Sequence, residues 1–193
     1  GVSSAYAVPA YAGVPLTRRG AASSVHIFTA QGAADAESER REWVEAARLN
    51  GTLVFLMGFS RIGEIARTLI DGGIAPSTPV AVVQWGTTVH QRQVFSVLER
   101  AREDVERAGL TSPVVLVIGQ TAAENARLRW TDELPFFGRS IAFTRDLRRA
   151  VPWLEALEGL GARVFDFPLV QTSPQEPTEG IAAQLGAVAQ NDW

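Results

Sequence analysis

"GTLVFLMGFSRIGEIARTLIDGG", residues 51–73, decides how the rest of the chain is read. Thr52–Leu56 is an apolar run without alternation, the pattern of a β-strand covered on both faces. After Gly58, the apolar residues Ile62, Ile65, Ala66 and Leu69 recur at helical spacing, and Asp71, Gly72 and Gly73 supply the stop. A buried strand feeding an amphipathic helix is the unit of an α/β fold. Met57, the one methionine of the chain, stands at the carboxyl end of that strand, where open α/β sheets place their ligands. Two readings of it stay open here: a filler of core gaps, the commoner fate of methionine, or the floor of a ligand site.

Working outward, the pattern repeats. Residues 1–24 are rich in small side chains and read as a helix opened by Ser3 or Ser4 and closed near Gly13, with Pro9 marking a kink or a late start. A short strand covers 24–30, and a charged amphipathic helix spans 33–49 with Trp43, Val44 and Ala47 as its apolar side. Residues 78–88, 91–97 and 112–119 read as strands, and 98–110 as a solvated helix. "WTDELPFFG", residues 130–138, interrupts both periodicities and marks a boundary. Beyond it come a strand (139–145), a helix (146–161) and a strand (162–170), a fresh β-α-β unit. A further helix is expected over 177–190, followed by the lip of a strand at "NDW".

Bulk properties narrow the function classes. Of 193 residues, 46% are hydrophobic and 20% charged, which describes a globular chain. A net charge of −3 argues against a general nucleic-acid or anionic-membrane binder. No run reads as a membrane span or signal peptide, so the cytoplasm is the default location. Without cysteine there is neither a disulfide nor a thiolate metal site, and two distant histidines give a metal centre little support. All 18 basic residues are arginine, whose planar fork suits carboxylates. The chain starts at Gly1 and stops at Trp193 as if cut at both ends.

Candidate chemistry is sparse. Three strands end on small residues, at Met57-Gly58, at Gly86 and at Gly119, where a ligand can approach backbone. Neither a dinucleotide fingerprint nor a Walker loop is present. Thr17, Arg18 and Arg19 lie between helix and strand, a setting for an anion clamp or simply a solvated pair. His26 reads as a core histidine with a satisfied proton. The serines lack a nucleophile-elbow setting. Pattern reasoning ends at an α/β chain with a small ligand at its strand ends.

Three segments in order, 1–24, 51–73 and 78–93, followed by "SPVVLVIGQ" at 112–120, resemble the second half of the uroporphyrinogen-III C-methyltransferases of the tetrapyrrole methylase family. "GRSIAFTRDLRRAVPWLEALEGLGARVFDFPLVQTSP" is similar to the opening of the uroporphyrinogen-III synthase family. The resemblance implies a mixed-sheet α/β C-terminal subdomain of a methylase over 1–130 and a linker over 131–138. The first β-α-β elements of a truncated synthase domain would occupy 139–193.

What the resemblance implies for function follows. The cofactor is S-adenosylmethionine, held by Ser3, Ser4, Met57 and Gly86. The substrate is uroporphyrinogen III, contacted by Arg19, Gln31 and Met57 and methylated at C2 and C7 to precorrin-2 on the way to sirohaem or cobalamin. No residue is assigned a catalytic role, because the family's proton-transfer residues belong to its first half. The family's Thr-His-Arg is here Thr17-Arg18-Arg19, and Gln31 stands where a histidine is usual, which removes titration near neutrality but keeps hydrogen bonding. The intact protein is expected to be a homodimer, and the chain alone, lacking one wall of the cleft, to be inactive. Alternatives are a relative acting on a later corrinoid intermediate, or a non-catalytic binding remnant.

Overall fold

The computed structural model describes residues 1–31, 36–124, 128–144, 147–169, 180–181 and 184. Five strands form one sheet: β1 (Val25–Thr29), β2 (Thr52–Leu56), β3 (Pro79–Gln84), β4 (Arg92–Val97) and β5 (Val114–Ile118), in the order β1-β2-β5-β3-β4. β1 and β2 are parallel, whereas β5 runs antiparallel to both its neighbours, β2 and β3. The sheet is therefore mixed, as expected. Four helices cover it: α1 (Ser4–Tyr11), α2 (Ala36–Arg48), α3 (Ile62–Asp71) and α4 (Ala101–Arg107).

Strand alternation assigns the two faces. Leu53, Phe55, Val80, Val82, Leu116 and Ile118 point to the side where Trp43 of α2, Ile65 and Leu69 of α3 and Val105 of α4 pack. Val54, Ala81, Val83, Val115 and Val117 point to the other side, against Ala5, Val8 and Ala12 in and just after α1. Both faces are covered, which is why β2, β3 and β5 read as unbroken apolar runs. Ile62, Ile65, Ala66 and Leu69 are the buried residues of α3, as their spacing predicts. In α2 the fully buried pair is Trp43 and Ala46, while Val44 is half-buried against Gly72.

α1 shows how a short helix holds its ends. The Ser3 hydroxyl caps it by accepting from the Ala5 N–H at 3.3 Å. Pro9 sits inside, and its carbonyl takes the Val14 N–H at 2.8 Å as the chain leaves the helix. Past residue 130 no helix or strand occurs until β6 (Ser140–Phe143), which pairs in parallel with β7 (Arg163–Asp166) around α5 (Leu147–Gly159). The expected helix over 177–190 and the terminal strand lie almost wholly outside the described residues. Among the described residues no helix is long and apolar enough to cross a membrane.

A buried-edge ion network ties α2 to the β2–α3 turn. Arg61 bonds Glu39 at 2.8 Å and Glu64 at 2.9 Å and lies 5.0 Å from the Trp43 ring centre. The Arg61 hydrogen bond, outweighing burial, holds the Glu64 carboxyl at about 2 against its ordinary 4.5. A carboxyl depressed in the folded state adds stability that is whole above its unfolded pKa and disappears as pH falls through the folded one, here from 4.5 to about 2. Glu64→Gln is expected to cost about 1 kcal/mol at neutral pH, allowing for solvent screening. In urea unfolding, the gap between variant and parent closes as the pH falls through that window; a gap that persists at its acid end contradicts the assignment.

Candidate functional site

The direction of β5 decides where a site can form. With β5 inverted between them, β2 and β3 run the same way, so their carboxyl ends lie side by side at one end of the sheet. Register makes the ends flush: Leu56 faces Val115, and Gln84 faces Val114. Beyond them the chain turns away sharply. Met57 and Trp85, the residues just past each strand, both take left-handed backbone, with φ of 54° and 50°. For side chains of that size this costs on the order of 1 kcal/mol each and is concentrated at ligand clamps.

Both side chains stand in the open, Met57 54% and Trp85 50% exposed. They line a cavity of about 420 Å³, within the range of small-ligand sites. Ser4 and Val8 of α1 form one wall, Trp85, Gly86 and Thr88 another, and Leu56, Val83 and Val115 the apolar back. The core-filling reading of Met57 is thereby excluded, because its side chain is half-exposed in the cavity that Gly86 shares. Gly86 is obligatory for a packing reason: a Cβ there would sit 2.4 Å from Val8 Cγ1.

The residues singled out from sequence divide. Ser4, Met57 and Gly86 meet in this cavity, and Ser3, one residue away, spends its hydroxyl capping α1. Gln31 is exposed and follows Ala30, whose N–H donates to the Leu56 carbonyl at 2.8 Å, so it lies at the same end of the sheet. Arg19 does not join them. It lines a separate open hollow with Arg18, Gly20 and Asn50, beside the amino end of β2. A five-residue strand, about 17 Å, stands between that hollow and Met57. Arg18 pairs with Glu124 at 2.6 Å. Gly119 is likewise corrected: it ends β5 at the opposite edge from Met57, where its N–H bonds the Pro79 carbonyl, because β5 runs the other way.

His26 has a hydrogen-bond partner, its Nε2 3.1 Å from the Ser24 hydroxyl, but it is half-buried on the edge strand and not in the core as expected. Sequence reasoning missed Trp85 and the Pro113–Val115 edge of the cavity. A tryptophan directly before a strand-terminal glycine was the available signal for the first; nothing in the pattern announced the second.

Residues 1–102 match the family described as Tetrapyrrole (Corrin/Porphyrin) Methylases. The chain is 33% identical over 186 residues to a uroporphyrinogen-III C-methyltransferase of Bacillus subtilis (strain 168), an alignment covering 96% of this chain and 38% of the relative. It is 38% identical over 119 residues to an S-adenosyl-L-methionine-dependent uroporphyrinogen III methyltransferase of Methanosarcina barkeri, covering 62% and 47%. The crystal structure of uroporphyrin-III C-methyl transferase from Thermus thermophilus complexed with S-adenyl homocysteine superposes with a TM-score of 0.53 at 28% identity, over 72% of this chain and 54% of that one. The chain thus spans half or less of the length of the two curated relatives.

Gly86→Ala is expected to destabilise the protein by about 1–3 kcal/mol, since its new methyl meets Val8. In a Val8→Ala background the same change is expected to cost less than about 1 kcal/mol. Chemical denaturation of the four proteins checks this; equal costs in both backgrounds would refute the close approach.

Proposed function

This chain belongs to the tetrapyrrole (corrin/porphyrin) methylase family, and on that premise we propose that it is the C-terminal part of a methyltransferase using S-adenosylmethionine on uroporphyrinogen III. The carrying observation is the cavity at the joined ends of β2 and β3, where Met57 and Trp85 are held exposed on left-handed backbone. The proposed reaction is methylation at C2 and C7 to precorrin-2. When bound, the cofactor supplies an electrophilic methyl group on a sulfonium.

The residues fit such a group. Leu56, Val83 and Val115 offer an apolar back, and Trp85 an aromatic face. Gly86 keeps the wall thin, and the Met57 side chain gives a soft floor between cofactor and macrocycle. The chain's task is alignment: Met57 and the Gly86 backbone fix one reactant, with Ser3 and Ser4 setting the opposite wall through α1. Gln31, at the same end, is proposed as a hydrogen-bonding contact to the substrate. Arg19, expected from the resemblance to meet a substrate carboxylate, lies in its own hollow and is assigned no part in holding the cofactor.

We read residues 1–130 as methylase, 131–138 as linker and 139–193 as the start of a uroporphyrinogen-III synthase domain. The separate parallel β6–α5–β7 unit supports this division. The intact protein is proposed to work as a cytoplasmic homodimer.

Calorimetric titration of the full-length protein with S-adenosylhomocysteine tests the reading. Met57→Gly is expected to weaken binding about tenfold while leaving the melting temperature equal or higher, because glycine relieves the left-handed strain. Arg19→Ala is expected to leave the affinity within about twofold. Absence of binding in the parent, or loss of affinity in Arg19→Ala with none in Met57→Gly, would overturn the proposed site.

A further inference from the structure

Helices leave their last carbonyls without intrahelical partners. At the end of α1, those of Ala10 and Tyr11 are met by side chains from distant parts of the chain. The Tyr11 carbonyl accepts from the Thr131 hydroxyl at 2.7 Å and from the Gln91 amide at 3.3 Å. The Ala10 carbonyl accepts from the Trp130 indole N–H at 3.2 Å, and the Trp130 and Tyr11 rings lie 5.2 Å apart. Thr131 is 4% exposed and Gln91 8%, so water offers neither a ready substitute.

Gln91 has a second duty. Its amide oxygen accepts the Thr87 N–H at 2.9 Å. Thr87 follows Gly86 and itself has φ of 68°. One side chain therefore spans the two walls of the cavity, α1 with Ser4 and Val8 on one side, the turn with Trp85, Gly86 and Thr88 on the other. Its donor and acceptor ends are both spoken for, which fixes the orientation of the amide.

We propose that Gln91 and Thr131 are positioning residues for the cofactor cavity, converging on the Tyr11 carbonyl to hold α1 at the spacing that the 85–88 turn requires. Thr131 opens the segment that leads into the second unit, where the Phe136 N–H bonds the Leu160 carbonyl at 3.0 Å. The start of the 131–138 linker is thereby tied to the end of α1 and acts as a strut of the cavity wall. This rests on the reading that S-adenosylmethionine occupies the cavity, which neither residue lines.

The test is calorimetric affinity for S-adenosylhomocysteine, with thermal unfolding recorded alongside, in the full-length protein. Gln91→Leu and Thr131→Val are expected to weaken binding about fivefold each, and Thr131→Ser, which keeps the hydroxyl, to restore it to within twofold. Gln91→Glu, nearly isosteric but without the donor toward Tyr11, covers the case in which the leucine variant fails to fold, and it too is expected to bind more weakly. Folded variants with a lowered melting temperature and parental affinity would overturn the proposal, since that is the signature of a merely structural contact. A parent protein that does not bind the probe would instead remove the cofactor reading itself, and this inference with it.

Discussion

Inversion of one strand organises this molecule. β5 enters the sheet against the direction of β2 and β3 and hydrogen-bonds to both. Neighbouring strands lie about 4.8 Å apart, so the ends of β2 and β3 are held about 9.6 Å from each other with the start of β5 between them. This pairing brings Met57 and Trp85, 28 residues apart in sequence, to one mouth. The buried, unbroken apolar runs of the three central strands secure the arrangement, since a register slip of one residue would turn Phe55 and Leu116 away from Trp43 and Ile65.

The left-handed backbone at Met57 and Trp85 follows from the same geometry. Each strand must end abruptly for the chain to leave the sheet without closing the cavity, and both turns put a large side chain where glycine would be easier. Strain of this kind survives only where the surroundings over-determine it. Here β2 and β3 are anchored on both faces, and the 85–91 turn is braced by Thr88 bonding the Trp85 carbonyl at 2.8 Å and by Gln91.

Much of this was legible beforehand, and the reasons differ by element. The β2–α3 unit could be read to the residue because its periodicity changes from an unbroken run to helical spacing within a few positions. Strand direction could not be read, since "VVLVI" looks alike whichever way it runs; Gly119 was accordingly grouped with Met57 and Gly86 although it lies at the other end. Arg19 lies apart from the cavity for a related reason: a residue before β1 is at the amino edge, whatever chemistry its motif suggests. Gln91 and Thr131 gave no pattern at all, because their meaning is a shared carbonyl on a helix end far away in sequence. The β6–α5–β7 unit was visible as a fresh alternation, whereas the exposure of its apolar side chains was not. Parallel strands are ordinarily covered on both faces, whereas Trp153, Phe165 and Phe167 are 59%, 43% and 62% exposed.

The central claim is that the methyl donor sits at the joined carboxyl ends of β2 and β3, on Met57. A crystal structure of the full-length protein with S-adenosylhomocysteine is its most direct test. The account predicts ligand density between α1 and the 85–88 turn, in contact with Met57 and Trp85. Density in the hollow bounded by Arg19 and Asn50, or beside Gly119 at the opposite edge of the sheet, would contradict it.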